Sequence, residues 1–140
     1  MATELLIDLH LVLRRGDRIL FGLRRNTGFS DGLYHLPAGR LEAHETVAAG
    51  AIREAMEELG IDIDPADLHL IHAMHHRSGR LGLFFEARKW SGELRNAEPD
   101  KCEQLDWMSS DRFPDNMVPY AVAALQSIRN GETVSAYGWD

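Results

Sequence analysis

The chain has a single cysteine, Cys102, which excludes a disulfide within the molecule and makes a reducing compartment, the cytoplasm, the expected setting. It also lacks a long apolar run. Stretches such as Leu81 to Phe85 fall far short of the roughly 18 residues needed for a membrane-spanning helix, so no membrane partner is expected. Its first twenty residues place Glu4 and Asp8 inside an alternating apolar pattern. With no basic n-region, apolar h-region or small-residue cleavage site there, export is not expected. Positive charge is in deficit, 15 Lys and Arg against 22 Asp and Glu, for a net charge of −7. The basic residues are scattered along the chain and form no stripe, so duplex nucleic acid is not an expected partner.

What is present suits one domain over residues 1–140. Hydrophobic residues make up 44% of the chain, enough to build a core at this length without covalent staples. Leu5 to Leu13 alternates apolar with polar residues, and Ile19 to Leu23 follows a polar Arg14-Arg15-Gly16-Asp17 step, which predicts a β-hairpin. Asn26 to Gly32 has the composition of a turn or substrate-facing loop. Between Thr46 and Leu59 the residues Ala48, Ala51, Ile52, Ala55 and Leu59 share one side of a helical wheel, with Thr46 as N-cap and Gly60 just past the end.

Asp67 to Arg77 and Leu81 to Ala87 predict a second hairpin turning at Ser78-Gly79-Arg80, and Gln104 to Met108 a returning strand after a long polar connection from Trp90 to Lys101. Val118, Val122, Leu125 and Ile128 predict a second helix ending at Gly131. This order describes an α/β domain with a mixed sheet sandwiched between helices.

Glu54, Glu57 and Glu58 fall at i, i+3 and i+4 of the first helix, on one face turned from the apolar stripe. Like charges so spaced repel by a few tenths of a kcal/mol per pair, and the usual remedy is a cation four residues on. Positions 58, 61 and 62 hold Glu, Ile and Asp instead, leaving only Arg53 within reach. Hard divalent cations take such oxygen ligands, together with waters and substrate phosphates. A solvated acidic face is the plainer alternative.

The stretch from Gly39 to Ile61 resembles the Nudix box, G-x5-E-x7-R-E-U-x-E-E-x-G-U, where U is apolar. Gly39, Glu45, Arg53, Glu54, Glu57, Glu58 and Gly60 occupy all seven fixed positions. At roughly 6% usage per residue type, such a match arises by chance in a window with a probability on the order of 10⁻⁸ to 10⁻⁹. Two departures are mild. Ala38 stands where many members carry a second Gly, and Ala55 is small for its apolar slot.

The resemblance implies the Nudix fold and metal-dependent hydrolysis of a nucleotide or other nucleoside diphosphate derivative. It further implies Mg²⁺ or Mn²⁺ held by Glu54, Glu57, Glu58 and the carbonyl of Ala38, with Arg53 and Glu45 supporting the shell. In MutT-like members a further carboxylate follows a Trp-x-Gly-Glu stretch, here Trp90-Ser91-Gly92-Glu93. Glu98 is then the candidate extra ligand or general base, with Glu93 and Glu103 as alternatives, and Glu54 competes for the role of base. Arg24, Arg25, Arg40 and Lys101 are candidate helpers for the phosphates, and Tyr34 and His35 precede the box where substrate contacts commonly arise.

Asn116, in Phe113-Pro114-Asp115-Asn116, resembles a base-reading Asn of MutT-like proteins and is equally suited to cap the last helix. The implied reaction is cleavage of a nucleoside triphosphate, an oxidised one included, to monophosphate and pyrophosphate. ADP-ribose or nucleotide-sugar hydrolysis and a non-catalytic nucleotide-sensing module are the alternatives, and pairing of two copies as a homodimer stays open. His72, His75 and His76 do not predict a zinc site, because on a strand the middle residue faces away from the other two.

Overall fold

A computed structural model describes all residues 1–140. Its strands are β1 (Leu6–Arg15), β2 (Arg18–Arg24), β3 (Tyr34–His35), β4 (Ala38–Arg40), β5 (His69–His76), β6 (Arg80–Ala87), β7 (Cys102–Ser109) and β8 (Val134–Tyr137). The helices are α1 (Val47–Leu59) and α2 (Pro119–Arg129), with a single 3₁₀ turn at Pro65–Asp67. No helix is long and apolar enough to cross a membrane.

The strands form a mixed sheet with the order β3-β2-β1-β6-β5-β8, β4 pairing with β1 and β7 with β2. The expected first hairpin is present but serves mainly as a branch point. β1 and β2 share only the pairs Arg14–Ile19 and Arg15–Arg18 before diverging. The rest of β1 runs parallel to β6, from Leu6–Arg80 to Leu13–Ala87, and antiparallel to β4. β5 and β6 make the second hairpin with an irregularity between Leu70 and His72.

Alternation along β1 sorts the core into two layers, one on each face of the sheet. Leu9, Leu11 and Leu13 pack with Ala51, Ala55 and Leu59 of α1, whereas Val12 packs in the layer that holds Ala124 and Leu125 of α2. α1 starts where Thr46 Oγ1 accepts from the Ala49 N–H at 3.1 Å and stops where Gly60 turns left-handed at φ 68°. Gly50 lets this helix approach the sheet closely, since a Cβ there would lie 2.6 Å from Leu9 Cδ1. That approach brings the glutamate face of α1 over β4, and the site is built there.

β3, β4, β8 and the 3₁₀ turn are additions to the elements predicted from sequence. The expected capping role of Asn116 is corrected: Val118 holds the N-cap position of α2, makes no side-chain cap, and is followed by Pro119. Proline at the first helical position needs no capped N–H there.

Candidate active site

The carboxylates of α1 face a cleft of about 430 Å³ whose walls include Glu54, Glu57, Glu58, Ala38, Glu98 and Lys101. Glu54 is buried at 8% exposure, deep in the wall. Its space exists because residue 39 is glycine, for a Cβ at that position would lie 2.0 Å from the Glu54 carboxyl carbon. Glu58 is next to it. Burial first, then the negative charge of Glu54, pushes the Glu58 carboxyl well above the ordinary carboxylate range. Its Oε2 is sealed from solvent and has no hydrogen-bond partner. An unpartnered buried acceptor is costly and points to a missing counterpart.

Arg53 organises the acidic face from one side. Its Nη1 donates to Glu54 Oε1 at 2.9 Å and to Glu57 Oε2 at 3.1 Å. Its Nε and Nη2 grip both oxygens of Glu45 at 3.0 and 2.7 Å, and Nη2 also reaches the Arg40 carbonyl at 3.2 Å. The planar guanidinium thereby ties the β4 loop to the helix. Arg53 holds the Glu45 carboxyl down at about 2, helped by the Glu42 N–H. In return Glu45, more than any other group, raises Arg53 above its ordinary value.

Glu98 enters from the opposite wall on the segment between β6 and β7. The Ala97 N–H donates to the Glu58 carbonyl and the Arg95 N–H to the Leu59 carbonyl, both at 3.0 Å, so the loop is stitched to the open end of α1. Asn96 braces it further, its Nδ2 donating to the Cys102 carbonyl at 2.8 Å and its Oδ1 accepting from the Glu98 N–H at 3.1 Å. Burial raises the Glu98 carboxyl, and Glu54, Asp100 and Glu57 add to the effect while Lys101 opposes it. Neither Glu93 nor Glu103 lines the cleft, so the structure brings Glu98 to the box glutamates and leaves the other two outside.

Among the expected cations, Arg24 and Lys101 line the cleft. Arg25 does not; its guanidinium donates to the Pro99 carbonyl, on the loop side of the strand end. Asn116 also lies outside the lining, exposed, with its Nδ2 3.4 Å from the Gly32 carbonyl. Arg40 reaches a second basin of about 430 Å³ that shares Arg24, His35 and Ala38 with the cleft.

His35 is buried between the two cavities, its Nε2 2.7 Å from the Tyr120 hydroxyl, which also lies 3.3 Å from His10 Nε2. Burial lowers both histidines, His10 to about 4 and His35 well below its ordinary value, and raises Tyr120 to about 12. The ion pair of Asp8 with Arg80, at 2.6 and 2.8 Å, also borders this basin. Asp8, His10, Arg80 and Tyr120 were not singled out from sequence, because three distant segments, β1, β6 and α2, supply them and no local spacing links the three.

His72 and His76 are buried on one face of β5, with His75 on the other against Trp139, as alternation requires. His72 is bonded to the Glu132 carbonyl and Ser135 hydroxyl. As their side chains stand, no group of three or more Asp, Glu, His or Cys residues is placed to hold a metal ion. Cys102 is half-buried beside the cleft, and burial pushes its thiol up.

Comparison with known proteins agrees with this fold. The NUDIX domain profile matches residues 7–127. An NAD-capped RNA hydrolase, NudC, of Pseudomonas aeruginosa is 35% identical over 105 residues, 74% of this chain but only 36% of that protein. The chain therefore spans about a third of that relative's length. An oxidized purine nucleoside triphosphate hydrolase of Danio rerio is 32% identical over 119 residues, 81% of this chain and 72% of the relative. A crystal structure of a MutT NUDIX hydrolase from Burkholderia pseudomallei superposes with a TM-score of 0.78 at 28% identity, covering 88% of this chain and 97% of the other. The chain belongs to the Nudix hydrolase family, whose members act on phosphoric anhydride bonds.

Proposed function

We propose that this chain is a divalent-cation-dependent pyrophosphohydrolase that converts a nucleoside triphosphate, an oxidised one included, to the monophosphate and pyrophosphate. One observation carries the reading: Glu54, Glu57, Glu58 and Glu98 converge on a single cleft, with Glu58 Oε2 buried and unpartnered. These hard oxygen donors fit Mg²⁺ or Mn²⁺ shared with waters and substrate phosphates. Glu54, Glu57, Glu58, Glu98 and the Ala38 carbonyl would hold the ion. Bound there, it supplies neutralisation of phosphate charge and Lewis-acid polarisation of the phosphoryl oxygens.

The chain's own groups do the rest. Arg53 fixes the rotamers of Glu54 and Glu57 through its hydrogen bonds, so these carboxylates meet the substrate already oriented. Arg24 and Lys101 offer donors to phosphate oxygens at the rim. Glu98 or Glu54 takes the proton of the attacking water. The basin beyond His35 and Arg40 receives the nucleoside, bounded by Phe29 and the Asp8–Arg80 pair. Asn116 would meet the base only from the rim, beside the loop at Gly32.

A second reading, hydrolysis of a dinucleotide or other nucleoside-diphosphate conjugate, is favoured by the equal size of the two joined cavities and by likeness to the NAD-capped RNA hydrolase. One panel separates the readings. With Mg²⁺ or Mn²⁺, a triphosphatase of the proposed kind releases pyrophosphate from nucleoside triphosphates, normal and oxidised, and leaves NAD and ADP-ribose largely uncut. Two monophosphates from NAD would establish the second reading. Nucleotide binding without any product would make the chain a sensor and overturn both.

A further inference from the structure

The scattered cations of the sequence gather in space at one end of the molecule. Arg14 and Arg15 close β1, Arg18 opens β2, and Arg88 and Lys89 follow β6, which lies beside β1. Arg15 and Arg18 are direct cross-strand partners, an arrangement of like charges that destabilises a hairpin. Relief is scant. Arg14 and Arg88 both lean on one carboxylate, Glu86, at 2.6 and 3.6 Å. Arg15, Arg18 and Lys89 form no ion pair at all, although the protein as a whole carries a charge of −7. Asp17, in the turn, is the other carboxylate nearby in sequence.

These residues surround a hollow. Arg14, Arg15, Gly16, Arg88, Lys89 and Trp90 line an open depression of about 610 Å³, which has no lining residue in common with the carboxylate cleft. The Arg15 guanidinium lies over both indoles, 4.5 Å from the Trp107 ring centroid and 5.9 Å from that of Trp90, and the two rings are nearly parallel with an interplanar angle of 10°. The indoles hold the guanidinium in place by cation–π attraction, and its N–H groups, which make no ion pair within the chain, are available to phosphate oxygens. Trp90 adds a half-buried aromatic surface to the same depression.

We propose that this hollow is a docking site for single-stranded nucleic acid, distinct from the site of hydrolysis, in which Arg15, Arg88 and Lys89 contact successive phosphates and Trp90 stacks on a base. Guanidiniums joined to an aromatic platform are the means by which sequence-tolerant single-strand binders hold their ligand. A duplex is not the match. Readers of the major groove insert a helix or a protruding ribbon, whereas these cations line a depression, and neither helix carries a basic face. An acidic polypeptide would use the charge and leave Trp90 idle.

The test is fluorescence anisotropy of a labelled 20-nucleotide single strand, read from 50 to 200 mM salt, in parallel with tryptophan emission. Three phosphate contacts give a slope in log K against log salt of about −2, hence a loss of roughly tenfold or more over that range. Charge reversal at two exposed sites, Arg88→Glu with Lys89→Glu, should weaken binding at least about tenfold and flatten the slope by about 1.4. Nucleotide hydrolysis by that variant, or nucleotide binding if there is no turnover, should be unchanged. Trp emission should fall on adding the oligonucleotide and stay constant on adding tripolyphosphate. No binding at 50 mM salt overturns the proposal. So does equal affinity for duplex DNA, for poly-glutamate or for anionic vesicles, or an undiminished affinity in the variant.

Discussion

Gly39 and Glu54 divide one small volume between them: the glutamate carboxylate fills the space that any side chain at residue 39 would claim, with 2.0 Å between an added Cβ and the carboxyl carbon. Residue 39 lacks a positive φ, so alanine is compatible with its backbone. Gly39→Ala should therefore fold normally and push the carboxylate aside. Hydrolysis should fall about as far as in Glu54→Gln, with thermal unfolding nearly unmoved. A fully active Gly39→Ala enzyme would mean that the position of the Glu54 carboxylate does not matter.

Neutralising the buried pair should separate stability from activity. Glu58→Gln removes like-charge repulsion and the burden of burying a second carboxylate beside Glu54. Without metal its Tm should be equal to or above that of the parent, while turnover drops at least about 100-fold, the upper range for loss of a single supporting contact at a metal site. Glu54→Gln and Glu98→Gln, compared over a pH series, identify the base as the one whose loss removes the acidic limb of the rate profile. A lower Tm in Glu58→Gln with intact turnover would make these carboxylates structural.

Arg53→Lys keeps the charge but discards the fork that holds Glu45, Glu54 and Glu57 together. Turnover should decline roughly 10- to 100-fold, and more of the loss should appear in kcat than in KM, because orientation rather than charge is lost. Steady-state kinetics of Arg53→Lys measure this directly.

Acid should loosen the fold through the histidines buried under α2. His10 is held at about 4 by burial, below its ordinary 6.5, and His35 is lowered as well. Between those values the unfolded chain binds protons that the folded chain refuses, so stability is complete above about pH 6.5 and declines as pH falls toward 4. For His10 alone the full effect is about 3 kcal/mol at most. Urea unfolding at pH 7.5 and 5 should show the decline, and His10→Phe, which keeps the stacking on Phe84, should reduce it. An equal pH dependence in that variant would exclude His10 as the source.

Asn116→Ala should alter stability by less than about 0.5 kcal/mol, since the cap of α2 is at Val118 and the side chain is exposed. Relative rates with purine and pyrimidine triphosphates should shift if Asn116 reads the base from the rim. Unchanged ratios would end that role.

The parts of the fold written in local signals were legible. Thr46, the alanine stripe and Gly60 delimit α1 because caps and helical periodicity act within a few residues. β3 and β4 were not, for strands of two and three residues are too short to show alternation. β8 follows α2 with exposed Val134 and Ala136, so its pairing with β5 lacks an apolar pattern in the sequence. The box glutamates could be read because one helix carries them all. The neighbours of His35 could not, since His10 of β1 and Tyr120 of α2 meet it only after segments far apart in the chain have packed together.

The stitching of residues 95 and 97 to the last carbonyls of α1 makes the wall bearing Glu98 an appendage of the helix bearing Glu58. Both jaws hang from the last turn of α1. Any tilt of α1 carries them together, so the gap across them is conserved.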